Sequence, residues 1–189
     1  MKAEQLKSII KPENTALVVW DVQNMLVERI FDKQEFAERL GSLINAARKA
    51  KLPVFFTKIT PLPDRFESAA RKLAFRGGFS KAMKEDFELY FKPEEGDTVL
   101  NKHTASIFIG TPFDLMLNNA GIKNIVFAGI ATEIGIESSA RDALNRGYLP
   151  IIAKGCVSSS DKASHERSLL NMDKLMAIAS SEEIEKALQ

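Results

Sequence analysis

Cysteine is almost missing from this chain: Cys156 is the only one in 189 residues. No internal disulfide can form, and the redox compartment is not written into the sequence. Histidine is nearly as scarce. His103 and His165 stand far apart, without the clustered ligand spacing of a zinc site, so no metal is expected. Neither sign of charge dominates, since 26 basic and 25 acidic residues leave a net charge of +1. Nucleic acid is therefore not an expected partner. No stretch approaches the roughly eighteen apolar residues of a membrane span, and the opening MKAEQLKSIIKPENT lacks the apolar core of a signal peptide. The expectation is a cytoplasmic protein with no membrane partner. There is no Walker pattern, and the Gly77 and Gly78 pair is too little for a dinucleotide fingerprint, so no cofactor is expected.

What is present reads as one soluble domain over residues 1–189, with 45% apolar and 27% charged residues. Two kinds of segment alternate. Apolar runs bounded by turn residues predict buried parallel strands at Thr15–Trp20 (TALVVW), 53–57 (PVFFT), 98–101 (TVLN), 124–128 (NIVFA), 149–153 and 175–179. Amphipathic stretches predict helices between them. In residues 35–51, Phe36, Leu40, Leu43, Ile44 and Ala47 recur at helical spacing. Thr111 and Pro112 read as the N-cap and first residue of a helix that Gly121 stops. Further helices are predicted over 133–146 and 162–171. Ser180 caps a last one, with Glu183 in the capping-box position. Strand–helix alternation of this kind implies an α/β fold with helices on both faces of a parallel sheet. Residues 61–93, with Arg65, Arg71 and Arg76, are too long for a plain connection; a helical excursion or an active-site lid is expected there.

Ligands of open α/β sheets bind at the carboxyl ends of the strands, where strand order reverses. That rule selects Asp21 after the first strand, Lys102 after the third, and 129–135 after the fourth. A carboxylate at such a place is often only a turn cap, and a lone lysine is usually solvated. Three candidates at one sheet edge carry more weight.

WDVQN (Asp21 to Asn24 with Trp20 before it), LNKHTASIF from Leu100, AGIATEIGIESSARDALNRGY from Ala128 and VSSSDKASHERSLLNM near the end resemble the signature blocks of the isochorismatase-like, or cysteine hydrolase, superfamily. The resemblance runs from about Thr15 to Ala179. It implies a three-layer, doubly wound, mainly parallel sheet of six strands, a cis peptide at Ile130–Ala131, and a homodimer or homotetramer acting on a small-molecule substrate. Most members are amidases with an Asp–Lys–Cys triad, which maps onto Asp21 as acid/base, Lys102, and Gly135 at the nucleophile. Gln23, His103, Ala131, Thr132 and Glu133 fall at substrate-binding positions. Glycine cannot attack a carbonyl, so the amidase mechanism in its family form is not expected. Cys156 lies on another connection and reads as a small buried hydrophobe; His165 reads as a helix-surface residue. Zinc-binding amidases of the family use an aspartate and two neighbouring histidines that this chain lacks.

Isochorismatases also place glycine at the nucleophile's position and hydrolyse a vinyl ether, with the aspartate as acid. That role asks for an apolar setting to raise the pKa of Asp21, whereas Lys102 would lower it. Loss of the thiol side chain is expected to enlarge the pocket, and the helix start near Thr132 to offer N–H groups to an anion. Thr104 and Ala105, and Ala131 through Glu133, replace the Arg-Tyr and Tyr-Ala-His runs of isochorismatases. Three readings stay open: an acid-catalysed hydrolase of a vinyl ether or related bond, an amidohydrolase working through activated water, and a non-catalytic binding protein.

Overall fold

In the computed structural model, which describes residues 3–74 and 87–189, each apolar run forms a strand of one sheet. The strands are β1 (Thr15–Trp20), β2 (Val54–Ile59), β3 (Thr98–Lys102), β4 (Asn124–Ile130), β5 (Leu149–Ser158) and β6 (Ala177–Ser180). They lie in the order β3-β2-β1-β4-β5-β6, and every pairing is parallel. The helices are α1 (Ala3–Ile9), α2 (Asn24–Val27), α3 (Lys33–Lys49), α4 (Ala69–Ala74), α5 (Phe113–Asn119), α6 (Glu137–Asn145), α7 (Lys162–Met172) and α8 (Ser181–Ala187). None of the described helices is long and apolar enough to cross a membrane.

Strand side chains alternate between the two faces, and each face builds its own core. Leu17 and Val19 of β1 pack with Leu6, Phe36, Leu40 and Ile184 of α1, α3 and α8. Ala16, Val18 and Trp20 pack on the other face, with Phe113, Leu117, Ala140 and Met172 of α5, α6 and α7. The helical stripe read in α3 is the buried one, from Phe36 to Ala47. The chain steps outward from β1 through β2 to β3, then returns to β4 and continues through β5 to β6. The carboxyl ends of β1 and β4 therefore border the point where strand order reverses, which is where such sheets bind ligands.

Several boundaries differ from those predicted. The amides of Leu175 and Met176 both donate to Met172 O, which keeps them in the turn ending α7, so β6 starts only at Ala177. β5 runs past Ala153 because pairing with β4 resumes after a shift, at Gly129 with Val157 and Ile130 with Ser158. Cys156 thus belongs to the strand rather than to a loop after it. Pro112, not Thr111, occupies the N-cap of α5, although the Thr111 hydroxyl still accepts from Phe113 N at 3.2 Å. The predicted 133–146 helix is divided: a π-helical turn, Thr132–Ile136, precedes α6. The capping box of Ser180 and Glu183 is present. Within residues 61–93, the chain forms a 3-10 turn at Asp64–Phe66 and then α4. Arg76, Gly77 and Gly78 lie outside the described residues. The Ile130–Ala131 peptide is cis.

Candidate active site

Asp21 ends β1 with φ 47, a left-handed conformation that a residue with a short polar side chain tolerates best. Thr57 near the end of β2 clamps it from both sides. Its hydroxyl accepts from the Asp21 N–H at 2.9 Å and donates to Asp21 Oδ1 at 2.6 Å. Lys102 ends β3, one strand further out, and its stem spans β2 to place Nζ 2.5 Å from Asp21 Oδ2. The ammonium also donates to Thr104 O at 3.2 Å and lies 3.9 Å from the centre of the Trp20 ring. Both members of the pair are buried, with relative exposures of 4% for Asp21 and 1% for Lys102.

Burial raises the Asp21 carboxyl above its ordinary pKa, against the lowering pulls of Lys102, Thr57 and Arg71. Burial also lowers the Lys102 ammonium, against the raising pull of Asp21. Burial thus moves the two affinities toward each other, and the titration of one group is tied to that of the other. Of the two opposed influences on Asp21, the apolar surroundings win over the lysine.

Gly135 lies in the π-helical turn just past the cis peptide. A Cβ built there would fall 1.9 Å from Trp20 Nε1 and 2.2 Å from Trp20 Cε2. The buried indole therefore fills the place from which a side chain at 135 would project. This differs from the expectation of an enlarged pocket: a side chain at 135 and the indole ring would compete for one space. The N–H groups of Ile134, Gly135 and Ile136 converge on Ala131 O at 3.2, 3.1 and 3.3 Å. These three groups of the expected N–H cradle are thus engaged by the backbone, whereas no hydrogen bond involves the first two, of Thr132 and Glu133, among the described residues.

A cavity of about 350 Å³ opens above these groups, lined by Trp20, Asp21, Leu26, Ile59, Ala70, Arg71, Lys102, Thr104, Ala105, Ile130, Ala131, Ile134 and Gly135. Four sequence candidates, Asp21, Lys102, Ala131 and Gly135, meet there. The other four do not line it. The Gln23 amide is used in tying β1 to its surroundings, accepting from Ile59 N at 2.9 Å and donating to Phe87 O at 2.7 Å. His103 Nδ1 faces Thr60 O at 2.7 Å. The Thr132 hydroxyl donates to Ser158 O at 3.1 Å, so His165 Nδ1, 2.8 Å away, must be the protonated nitrogen that donates to Thr132. His165 is thereby half-buried against the loop, edge-on to Phe31, and not a surface residue. Glu133 accepts from the Ser159 hydroxyl at 2.7 Å, which holds its charge away from the cavity.

Trp20, Thr57, Arg71 and the apolar wall were not assigned site roles by sequence. Thr57 had a signal: it is a hydroxyl at the end of a buried strand that runs parallel to β1. Cys156 is buried, and burial pushes its thiol up to about 12; it is not part of the cavity wall. Among the described residues no three His, Cys, Asp or Glu side chains gather as a metal site.

A family model for the isochorismatase domain matches residues 15–183. The chain is similar to an uncharacterized isochorismatase family protein, YwoC, of Bacillus subtilis, with 32% identity over 83% of this chain and 84% of the relative. It is 28% identical to the ureidoacrylate amidohydrolase RutB of Acinetobacter baylyi, over 91% of this chain and 82% of that one. The crystal structure of a cysteine hydrolase from Pseudomonas syringae superposes with a TM-score of 0.88 at 19% identity, covering 95% of this chain and 94% of the other.

Proposed function

The chain belongs to the isochorismatase family, and from that membership and the site geometry we propose that it hydrolyses a small metabolite carrying a vinyl ether or a related C–O or C–N bond, with Asp21 as acid/base and water as nucleophile. One observation carries this reading. The Asp21 carboxyl, raised in pKa by burial and 2.5 Å from Lys102, faces a cavity in which an indole ring stands where a nucleophile would project. An acid is well served by that setting and a thiolate mechanism is not.

On a vinyl ether the Asp21 carboxyl protonates the enol carbon, giving an oxocarbenium ion. The resulting carboxylate is stabilised by Lys102 and by the Thr57 hydroxyl. Water adds to the cationic carbon and gives up a proton, which returns to Asp21. The hemiketal then breaks its C–O bond and releases an alcohol and a carbonyl compound.

Incubation of the purified protein with isochorismate, with pyruvate release followed by a coupled assay, tests this. Wild-type turnover should fall by about 10²–10⁴-fold in Asp21→Asn, the range for loss of a positioned acid. Equal rates in the two proteins would end the acid mechanism.

A second reading has its own support: a non-catalytic or weakly active relative of the amidases that binds a small molecule or a protein partner. It is supported by the Trp20 ring, which occupies the space beside Gly135 into which a side chain at that position would project. Saturable ligand binding without turnover of vinyl ethers, esters or amides would favour it.

A further inference from the structure

We propose that α4 is the movable wall of this cavity, and that Arg71 is the latch that holds it shut against the end of β3. The inference adds a gate to the site described above, and it rests on the proposed function only in taking this cavity as the substrate site.

The stretch that carries α4 is held unlike the rest of the fold. None of residues 61–73 is buried, whereas α5, only seven residues long, buries Phe113 and Leu117. Phe66 and Leu73 are 69% and 60% exposed. A six-residue helix without an apolar anchor has little stability of its own. Yet Ala70 and Arg71 line the cavity together with Asp21 and Lys102, both of which are buried. The wall around that pair is therefore weakest at α4.

What faces inward from this stretch is polar. Arg71 Nη1 donates to His103 O, one residue past Lys102, and Arg71 Nε lies 3.5 Å from Glu67 Oε1. Glu67 also accepts from Leu62 N at 3.3 Å and from Ser68 N at 3.0 Å. His103 is itself fixed, since its Nδ1 faces Thr60 O at 2.7 Å and Thr60 N donates to Lys102 O at 3.0 Å. The return limb of the same excursion is fastened differently. Asn24 N donates to Glu88 O at 3.0 Å, Tyr90 N donates to Val22 O at 2.8 Å, and Leu89 and Phe91 pack on the core. Backbone pairing and apolar contact hold the return limb, whereas α4 meets the sheet edge through the Arg71 side chain.

Closure also changes the chemistry. With α4 in place, the guanidinium acts on both buried groups and lowers the proton affinity of Asp21 and of Lys102. With α4 raised that pull is gone, and Asp21 holds its proton more firmly. Shutting the wall therefore favours proton release from Asp21 in the same step that covers a ligand, as closing lids complete the sites of other enzymes.

Native-state amide exchange, together with acrylamide quenching of Trp20, tests this without a substrate. Trp20 is the only tryptophan of the chain and lines the cavity, so its quenching reports access to that space. In the wild type the Lys72 amide, bonded to Ser68 O, is expected to be protected at least about tenfold less than those of Asn24 and Tyr90. Arg71→Met keeps the stem and removes the latch. It should lower Lys72 protection by about a further tenfold, the usual effect of one hydrogen bond to a charged group, and leave Asn24 and Tyr90 unchanged. Trp20 quenching should rise at least about threefold while the urea midpoint stays at the wild-type value, the pattern of a local opening. Arg71→Lys, which keeps a charge and loses the fork, should fall between the two proteins. Equal protection of Lys72 and Tyr90 in the wild type, no change at Lys72 in Arg71→Met, equal losses in both limbs, or unchanged quenching would each overturn the proposal. Should Arg71→Met fail to fold, the wild-type contrast between the limbs decides. These outcomes are separate from the fate of the acid mechanism, because α4 can open in a protein whose Asp21→Asn variant turns over as fast as wild type.

Discussion

Gly135→Ala adds one methyl group where the Trp20 ring already lies. The new Cβ would be 1.9 Å from Nε1, 2.2 Å from Cε2 and 2.6 Å from Cζ2, all within a rigid ring that is 1% exposed. The ring cannot yield by a small rotation of a flexible end, so it or the π-helical turn must shift. Overpacking of this kind costs ~1–3 kcal/mol. Replacing glycine within a helical turn returns ~0.5–1 kcal/mol through the unfolded state. With an indole ring that cannot yield, the cost lies at the upper end of that range, so the net expectation is a loss of about 2 kcal/mol, and at this chain length each kcal/mol lowers the melting temperature by about 2–4 °C. Trp20→Val alone should cost more, about 3–5 kcal/mol, by leaving a cavity and removing the ring face from Lys102. In that background the same methyl enters empty space, and Gly135→Ala should turn neutral or stabilising. Urea unfolding followed by far-UV circular dichroism gives all four corners of the cycle without depending on tryptophan emission. The expected coupling is about 2 kcal/mol. A Gly135→Ala protein as stable as wild type, or additivity within about 0.5 kcal/mol, would refute the claim that ring and methyl compete for one space.

Gly135→Cys alone should show no amide turnover, because the thiol shares the space of the indole. Trp20→Val with Gly135→Cys should gain measurable hydrolysis of ureidoacrylate, and silence in the folded double variant would count against a surviving amidase frame. Lys102→Met strips Asp21 of its cation, and burial then pushes the carboxyl still higher. A folded-state pKa raised above the unfolded value gives stability that is present at low pH and lost as pH rises through it. The variant should therefore lose about 3–5 kcal/mol at pH 8 and clearly less at pH 5, as read from urea midpoints; equal losses would sink the argument. Cys156 and Tyr148 are both pushed up to about 12, from ordinary values of 9.0 and 10.0, chiefly by burial. The Cys156 contribution is intact below pH 9 and fades toward pH 12, so stability should fall across that window by up to ~1.4 kcal/mol per pH unit from this thiol. Over the same logic, Cys156 should react with a thiol reagent at pH 8 only after denaturant is added, and labelling at the rate of a free thiol would contradict its burial.

The strands and the meeting of Asp21, Lys102 and Gly135 were legible because each rests on local pattern: an apolar run, a polar residue at its end, a glycine at a helix start. What escaped depends on contacts between elements. Gln23 and His165 carry side chains that suit a ligand as well as a backbone carbonyl, and only the positions of Ile59, Phe87 and Thr132 decide between the two. The 61–93 segment was expected at the active site, but without strong periodicity nothing singled out Arg71 among its arginines as the one that reaches the cavity wall from α4. Trp20 was the largest omission. In sequence it is the last apolar residue of a strand, and its alternation with Ala16 and Val18 explains only which face it packs on.

Two glycines make sense only beside that tryptophan. Gly129 pairs with Trp20 across β1 and β4 at φ 126, and a Cβ there would fall 2.1 Å from Trp20 O. Gly135 does for the ring what Gly129 does for the backbone. The lack of a side chain at 135 is therefore matched to the bulk at 20, and a side chain at 135 needs the ring to move. A chain that had merely lost a thiol would leave a void at the floor of the cavity, bordered by a buried carboxylate and ammonium with nothing to act on. Here the void is filled, the filling ring packs against the Lys102 ammonium, and it lines the cavity. The group that remains, a carboxyl raised by burial, suits the proposed protonation better than covalent attack.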